Sequence, residues 1–138
     1  MKLRINFAMV VAVVAIAVGS LTLGVRALYG QAVGFKRVEL QKQDISTAGH
    51  EAVMARGEFA VGAVVPKHTH PGEEVAYILE GQITIEVAGK SPAVMKAGDT
   101  FFVPAGTVHS AKNSGTGAAK VVSTYIVEKG KPLATWVK

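Results

Sequence analysis

His68, Thr69 and His70 stand just ahead of Glu74, and His109 follows well downstream. Three of the chain's four histidines therefore belong to one small set of metal-capable side chains. Side chains alternate between faces along a strand, so His68 and His70 point the same way, about 7 Å apart. That separation lets two imidazoles hold one ion. Glu74 lies across Pro71-Gly72, a turn pair that allows a carboxylate to swing back toward the same face. Imidazoles with a single carboxylate suit one borderline divalent ion: Fe, Mn, Ni, Cu or Zn. The chain has no cysteine, which argues against a Cys-rich structural zinc knuckle.

The residues around this set extend the pattern. Gly62 precedes His68 by six positions and Gly81 follows Glu74 by seven, while a second block holds Gly98, Pro104, Gly106, His109 and Asn113. These resemble the two cupin motifs, G-x5-H-x-H-x3-E-x6-G and G-x5-P-x-G-x2-H-x3-N, with every specified position filled. The resemblance covers roughly Val53 to Val127. It implies an all-β, double-stranded β-helix or jelly-roll barrel, with one divalent metal ion held by His68, His70, Glu74 and His109. The three-residue gap after His70 selects Glu74 over its neighbour Glu73, which is expected to point elsewhere. Each motif occurs once, so a single-cupin domain is expected. Family habit also implies a homodimer, formed by adding an N-terminal strand to the partner's sheet edge.

The elements that must position these residues read as strands. Val53, Ala55, Gly57, Phe59 and Val61 share one face, with Met54, Arg56 and Glu58 on the other, an alternation that marks a half-buried strand. Val75 to Glu80 is almost continuously apolar, as in a central strand covered on both sides. Ile83 to Val87, Ala93 to Lys96, Thr100 to Val103 and Ala119 to Val127 read as further strands separated by Gly/Pro turns. His109 stands at the head of another. Val33 to Leu40 has the look of an edge strand. Many short strands at this spacing mean a sandwich or barrel.

Residues 1–32 read differently. Lys2 and Arg4 precede an uncharged Val/Ala-rich stretch from Ile5 to Val25, and small residues flank Gln31 near Ala32. A basic start, an apolar core and a small-residue end describe a secretory signal peptide. The uncharged run also approaches the ~20 residues that span a bilayer, so an uncleaved membrane anchor is the alternative. Both place residues 33–138, the single cupin domain, outside the cytoplasm, because the basic end stays inside. The expected location is periplasmic or secreted, with contact to the inner membrane only if the segment is retained. Losing this segment removes Lys2, Arg4 and Arg26 but no acid, so the +5 formal charge falls by three. The remaining lysines are scattered singly, which excludes a phosphate-tracking stripe and hence nucleic acid.

Three neutral imidazoles and one carboxylate leave a divalent ion with a net charge near +1. An octahedral ion would keep two open positions, enough for a small oxygen-chelating substrate and dioxygen together. A metal-dependent oxygenase is the leading reading. The alternatives are an isomerase or decarboxylase in which a metal stabilises an enolate, and a non-catalytic cupin that binds or senses a metal or small ligand. Candidate acids or bases near in sequence are Glu73, Glu86 and Tyr77. Tyr77, Phe101, Phe102, Tyr125 and Trp136 are candidate pocket walls, although parity from Glu74 sets Tyr77 on the opposite face. Arg56 is a candidate carboxylate clamp, but its polar face with Met54 and Glu58 is expected to meet solvent. Asn113 is expected to terminate a strand by hydrogen bonding, and His50 to be a surface residue.

Overall fold

The computed structural model describes residues 33–138, so the expected export segment, residues 1–32, lies outside the described residues. Ten strands follow one another: β1 (Phe35–Asp44), β2 (His50–Phe59), β3 (Val64–Thr69), β4 (Gly72–Glu80), β5 (Gln82–Val87), β6 (Ala93–Lys96), β7 (Thr100–Val103), β8 (His109–Asn113), β9 (Ala119–Glu128) and β10 (Thr135–Trp136). No helix occurs among the described residues. The strands form two five-stranded antiparallel sheets, ordered β1-β2-β9-β4-β7 and β10-β3-β8-β5-β6. This is the jelly-roll barrel that the resemblance implies, and it fits the sandwich or barrel expected from the strand spacing.

The period-two pattern decides which side chains meet between the sheets. Along β9, Ala119, Val121, Ser123, Tyr125 and Val127 are buried while their alternates are only partly so. Beside them on the same inner face are Val53, Ala55 and Phe59 of β2 and Ala76 and Ile78 of β4, and the opposing sheet contributes Ile83 and Ile85 of β5. Ile78 and Ile83 are wholly excluded from solvent, and each such side chain contributes about 1.5–3 kcal/mol relative to exposure. Gly81 joins β4 to β5 with φ +75°, and a Cβ there would lie 2.5 Å from the Ala118 carbonyl oxygen. Glycine is required at that corner on both counts.

Asn113 ends β8 fully buried, donating from its amide to the carbonyls of Phe59, Ala60 and Gly117 and accepting from the Gly115 N–H. It terminates the strand and ties three chain segments together, as expected.

Two expectations fail here. Val61 does not continue the β2 face; it lies in the following turn and is 60% exposed. Strand β4 is not covered on both sides: Val75, Tyr77 and Leu79 are each about half exposed, together with Phe102 on β7. β4 is central within its sheet, but in a two-layer sandwich the opposing sheet covers only one face. The outward row is therefore apolar without a cover from the described residues.

Candidate metal centre

The two sheets bring three imidazoles together and set one carboxylate against two of them. His68 sits on β3 directly across from His109, which opens β8. His70 follows one residue past the end of β3, on the same face. Glu74 lies on β4 opposite Tyr125 of β9. All four are buried. The ligand-capable nitrogens of His68, His70 and His109 lie within 4.8 Å of one another. Oε2 of Glu74 is 3.2 Å from Nε2 of His70 and 3.3 Å from Nε2 of His109.

Hydrogen bonds behind the rings fix which nitrogen faces inward. Nδ1 of His68 donates to the carbonyl of Pro66 at 2.7 Å, and Nδ1 of His109 to that of Thr107 at 2.9 Å. Nδ1 of His70 donates to the carbonyl of Leu133, in the segment leading to β10. A carbonyl can only accept, so Nδ1 carries the proton and each Nε2 presents a lone pair. Nε2 of His70 and of His109 are buried with no hydrogen-bond partner. Ser123 on β9 donates to Oε1 of Glu74 at 2.7 Å, which leaves Oε2 aimed at the two imidazoles.

This arrangement has a definite chemical meaning. Two lone-pair nitrogens and a carboxylate oxygen at 3.2–3.3 Å repel unless a proton or a cation lies among them. Neighbouring donors bonded at about 2.0–2.2 Å to one ion sit about 3 Å from each other, close to the separations present here. The orphaned nitrogens, the outer hydrogen bonds and the donor set thus fit a metal ion.

Burial is the main influence on His68, and the nearby His109 imidazole adds to it; together they bring its pKa down to about 4. For Glu74, burial works upward, but in the metal-free site a proton on Nε2 of His109 or His70 lets those rings donate to the carboxylate, and with the Ser123 hydroxyl they outweigh burial and hold the carboxyl below its usual range. A consequence follows for the metal-free protein. In the folded state His68 stays neutral where the unfolded chain, near 6.5, takes up a proton. Its contribution is therefore complete above pH 6.5 and is lost as pH falls toward 4. Denaturant unfolding of metal-free protein is expected to show stability about 2 kcal/mol lower at pH 4.5 than at pH 7.5 from this group. A flat profile across that window would contradict the burial of a neutral His68.

A cavity of about 260 Å³ opens onto His68, Glu74 and His109. Its walls are mainly apolar: Phe35, Phe59, Val65, Ile83, Ile85 and Phe101 among them, with Trp136 beside the His68 ring at 5.4 Å. Tyr125 packs edge-on against His70 at 4.7 Å. Burial, then the charge of Glu74, keeps its hydroxyl protonated well above the ordinary tyrosine range.

The expected residues divide clearly. Phe101, Tyr125 and Trp136 line the cavity, whereas Tyr77 and Phe102 face outward. Glu73, Glu86 and Tyr77 are not among the lining residues, so none is a cavity acid or base. Glu73 is one residue out of phase with Glu74 and only partly buried. Arg56 is no clamp: it pairs with Glu58, its alternate neighbour on the outer face, at 2.6 Å. His50 hydrogen-bonds the Ala48 carbonyl, away from the cluster. Sequence reasoning missed Ser123, whose signal was a lone hydroxyl on the inward, otherwise apolar face of β9. It also missed Arg37, a cavity residue on β1.

A family model described as a cupin domain matches residues 55–125, just over half of the chain. Germin-like protein subfamily 2 member 2 of Arabidopsis thaliana is 40% identical over 77 residues, covering 52% of this chain and 35% of that protein. Germin-like protein 5-1 of Oryza sativa subsp. japonica is 34% identical over 102 residues, covering 70% and 45% respectively. The chain thus spans less than half the length of these relatives. Among solved structures, an oxalate oxidase in complex with the substrate analogue glycolate aligns with TM-score 0.61 and 26% identity, over 75% of this chain and 55% of that one. A cupin-like protein from Thermotoga maritima aligns with TM-score 0.62 over 78% of this chain and 84% of that one; at 18% identity the likeness is one of fold.

Proposed function

The chain belongs to the cupin domain family, and from that membership we propose an exported protein that binds one divalent metal ion and acts as a metal-dependent oxygenase or oxidase on a small oxygen-chelating substrate. His68, His70, His109 and Glu74 are the ligands in this reading. The observation that carries it is the pair of buried, partnerless Nε2 atoms facing Oε2 of Glu74. The bound ion, Fe, Mn, Ni, Cu or Zn, would supply Lewis-acid polarisation and a template for chelating oxygens.

The chain's own residues do the rest. The carbonyls of Pro66, Thr107 and Leu133 hold the imidazoles in the ligating tautomer. Ser123 orients the carboxylate. Phe35, Phe59, Ile83 and Ile85 exclude water from the substrate space. Tyr125 keeps its proton and so presents a neutral hydroxyl at the cavity wall.

The likeness to an oxalate oxidase structure holding glycolate supports an oxygen-chelating ligand. The cavity beside the ligands favours turnover over a passive metal store, whose barrel mouth would be plugged. Export of residues 33–138 by the segment 1–32, whether cleaved or kept as an anchor, remains part of this reading and rests on the sequence. So does a homodimer, supported by the exposed row Val75, Tyr77, Leu79 and Phe102 and by the edge position of β1.

The reading is tested by oxygen-electrode measurements on protein loaded in turn with Fe(II) or Mn(II). Oxalate, glycolate, acetylacetone and 2-oxo acids serve as substrates. Metal-dependent oxygen uptake with at least one is expected. Tight metal binding with no uptake and no substrate loss would instead assign the protein to the ligand-binding class. Loss of substrate without oxygen uptake would assign it to the isomerases or decarboxylases.

A further inference from the structure

Arg37 lies on β1, the edge strand, directly across from Gly57 of β2. Phe35, two residues before it on the same face, packs against Phe59 with ring centroids 4.6 Å apart. This parity puts the Arg37 side chain on the cavity side of its sheet, where it stands exposed at the open edge. Gly57 is the only residue of the inward run Val53, Ala55, Gly57, Phe59 without a Cβ. A Cβ there would lie 3.0 Å from the Phe35 ring and 3.1 Å from the Phe59 ring, so glycine makes room for that aromatic pair beneath β1. Arg37 and Gly57 both line the cavity that holds His68, Glu74 and His109.

Arg37 has no carboxylate partner among the described residues. Arg56 takes Glu58, Lys42 takes Glu51, and Lys120 takes Glu80. Glu74 is the only acid among the cavity-lining residues, and it belongs to the ligand set. A divalent ion with three neutral imidazoles and one carboxylate is near +1, and Arg37 adds another positive charge. Between these two positive ends the walls are apolar: Phe59, Ile83, Ile85, Phe101 and Val121.

On the basis of the metal-centre reading above, we propose that Arg37 is a specificity-determining residue that binds a carboxylate at the remote end of the substrate. The substrate class is a small dianion with chelating oxygens at one end, a short apolar spacer, and a second carboxylate at the other. The levels of Arg37 and Glu74 are four residues apart along β9, from Val121 to Tyr125, or about 13 Å of strand, and their own strands are three steps apart across the sheet, roughly 14 Å more before the sheet curves. The arginine stem covers part of that span, which leaves room for a spacer of a few atoms. A planar guanidinium binds such a carboxylate through paired hydrogen bonds.

The test uses Co(II)-loaded protein and follows its visible spectrum during titration with 2-oxoglutarate and with 2-oxopentanoate. The two probes share the chelating end and chain length, and only the first carries the remote carboxylate. Wild type is expected to bind 2-oxoglutarate at least about tenfold more tightly. Arg37→Gln should bring the two probes within about twofold, Arg37→Lys should keep part of the preference, and Co(II) affinity should stay unchanged in both. Equal or undetectable binding of the two probes by Co(II)-loaded wild type would overturn the proposal, as would a preference that survives in Arg37→Gln. Failure of wild type to take up Co(II) would instead remove the metal-centre reading, and this inference with it.

Discussion

Alanine at His68 is expected to reduce bound metal from about one ion per chain to a small residue, measured by elemental analysis after purification without a metal-binding tag. Losing an outer-shell partner typically weakens a site 10–100-fold, and losing a ligand itself should cost more. His68 is the partner of His109 across the β3–β8 pair, and the two rings are 4.1 Å apart. Its removal opens one side of the cluster without touching the Nδ1 anchors of His70 and His109. The barrel should therefore persist, with an unchanged strand-type circular dichroism spectrum. Glu73→Gln is the matched control, since Glu73 is out of phase with the site, and it should retain nearly full metal. Full occupancy in His68→Ala would remove that histidine from the ligand set, and a large loss in Glu73→Gln would transfer the carboxylate role.

Alanine at Gly72 is expected to produce the largest loss of stability. The added Cβ would stand 1.9 Å from the Ile126 carbonyl oxygen and 2.7 Å from the Val127 Cα. These are backbone atoms of β9, paired on both sides by β2 and β4, so no flexible side chain can yield. Ordinary overpacking costs about 1–3 kcal/mol, and a clash against two paired strands should reach or exceed the top of that range. In a domain of this size about 3 kcal/mol lowers Tm by more than about 10 °C. Gly72 also lies two residues from both His70 and Glu74, so whatever folds should bind metal poorly. Thermal unfolding within a few degrees of wild type, with full metal content, would show that β4 and β9 can separate locally at little cost.

Gly72 also shows where sequence reading stops. Pro71-Gly72 reads as a turn that swings Glu74 back, yet Gly72 is the first residue of β4, and its φ is not among the positive glycine values. What demands glycine there is close strand approach, and proximity between distant segments is not written in local turn chemistry. The four converging side chains were legible because strand parity and motif spacing are properties of neighbouring residues. The choice of Glu74 over Glu73 comes from the motif's three-residue gap after His70.

Features set by packing between distant strands were less legible. Val75, Tyr77 and Leu79 read as a strand covered twice, because hydrophobicity reports a tendency to be buried, not whether a layer is present to do it. Arg56 drew attention as the arginine within the motif-bearing strands, but its Glu58 partner on the outer face absorbs it. Arg37 sits in the edge segment, and only the pairing of β1 with β2 brings it to the exposed rim of the cavity. The Leu133 carbonyl that anchors His70 comes from 63 residues away, and no local pattern announces it.

X-ray absorption at the cobalt edge of Co(II)-loaded protein tests the central claim most directly. A first shell of three imidazole nitrogens and at least one oxygen is predicted, with distances near 2.0–2.2 Å. His70→Ala and His109→Ala should each remove one imidazole from that shell. A shell of oxygens alone, unchanged in both variants, would contradict the account.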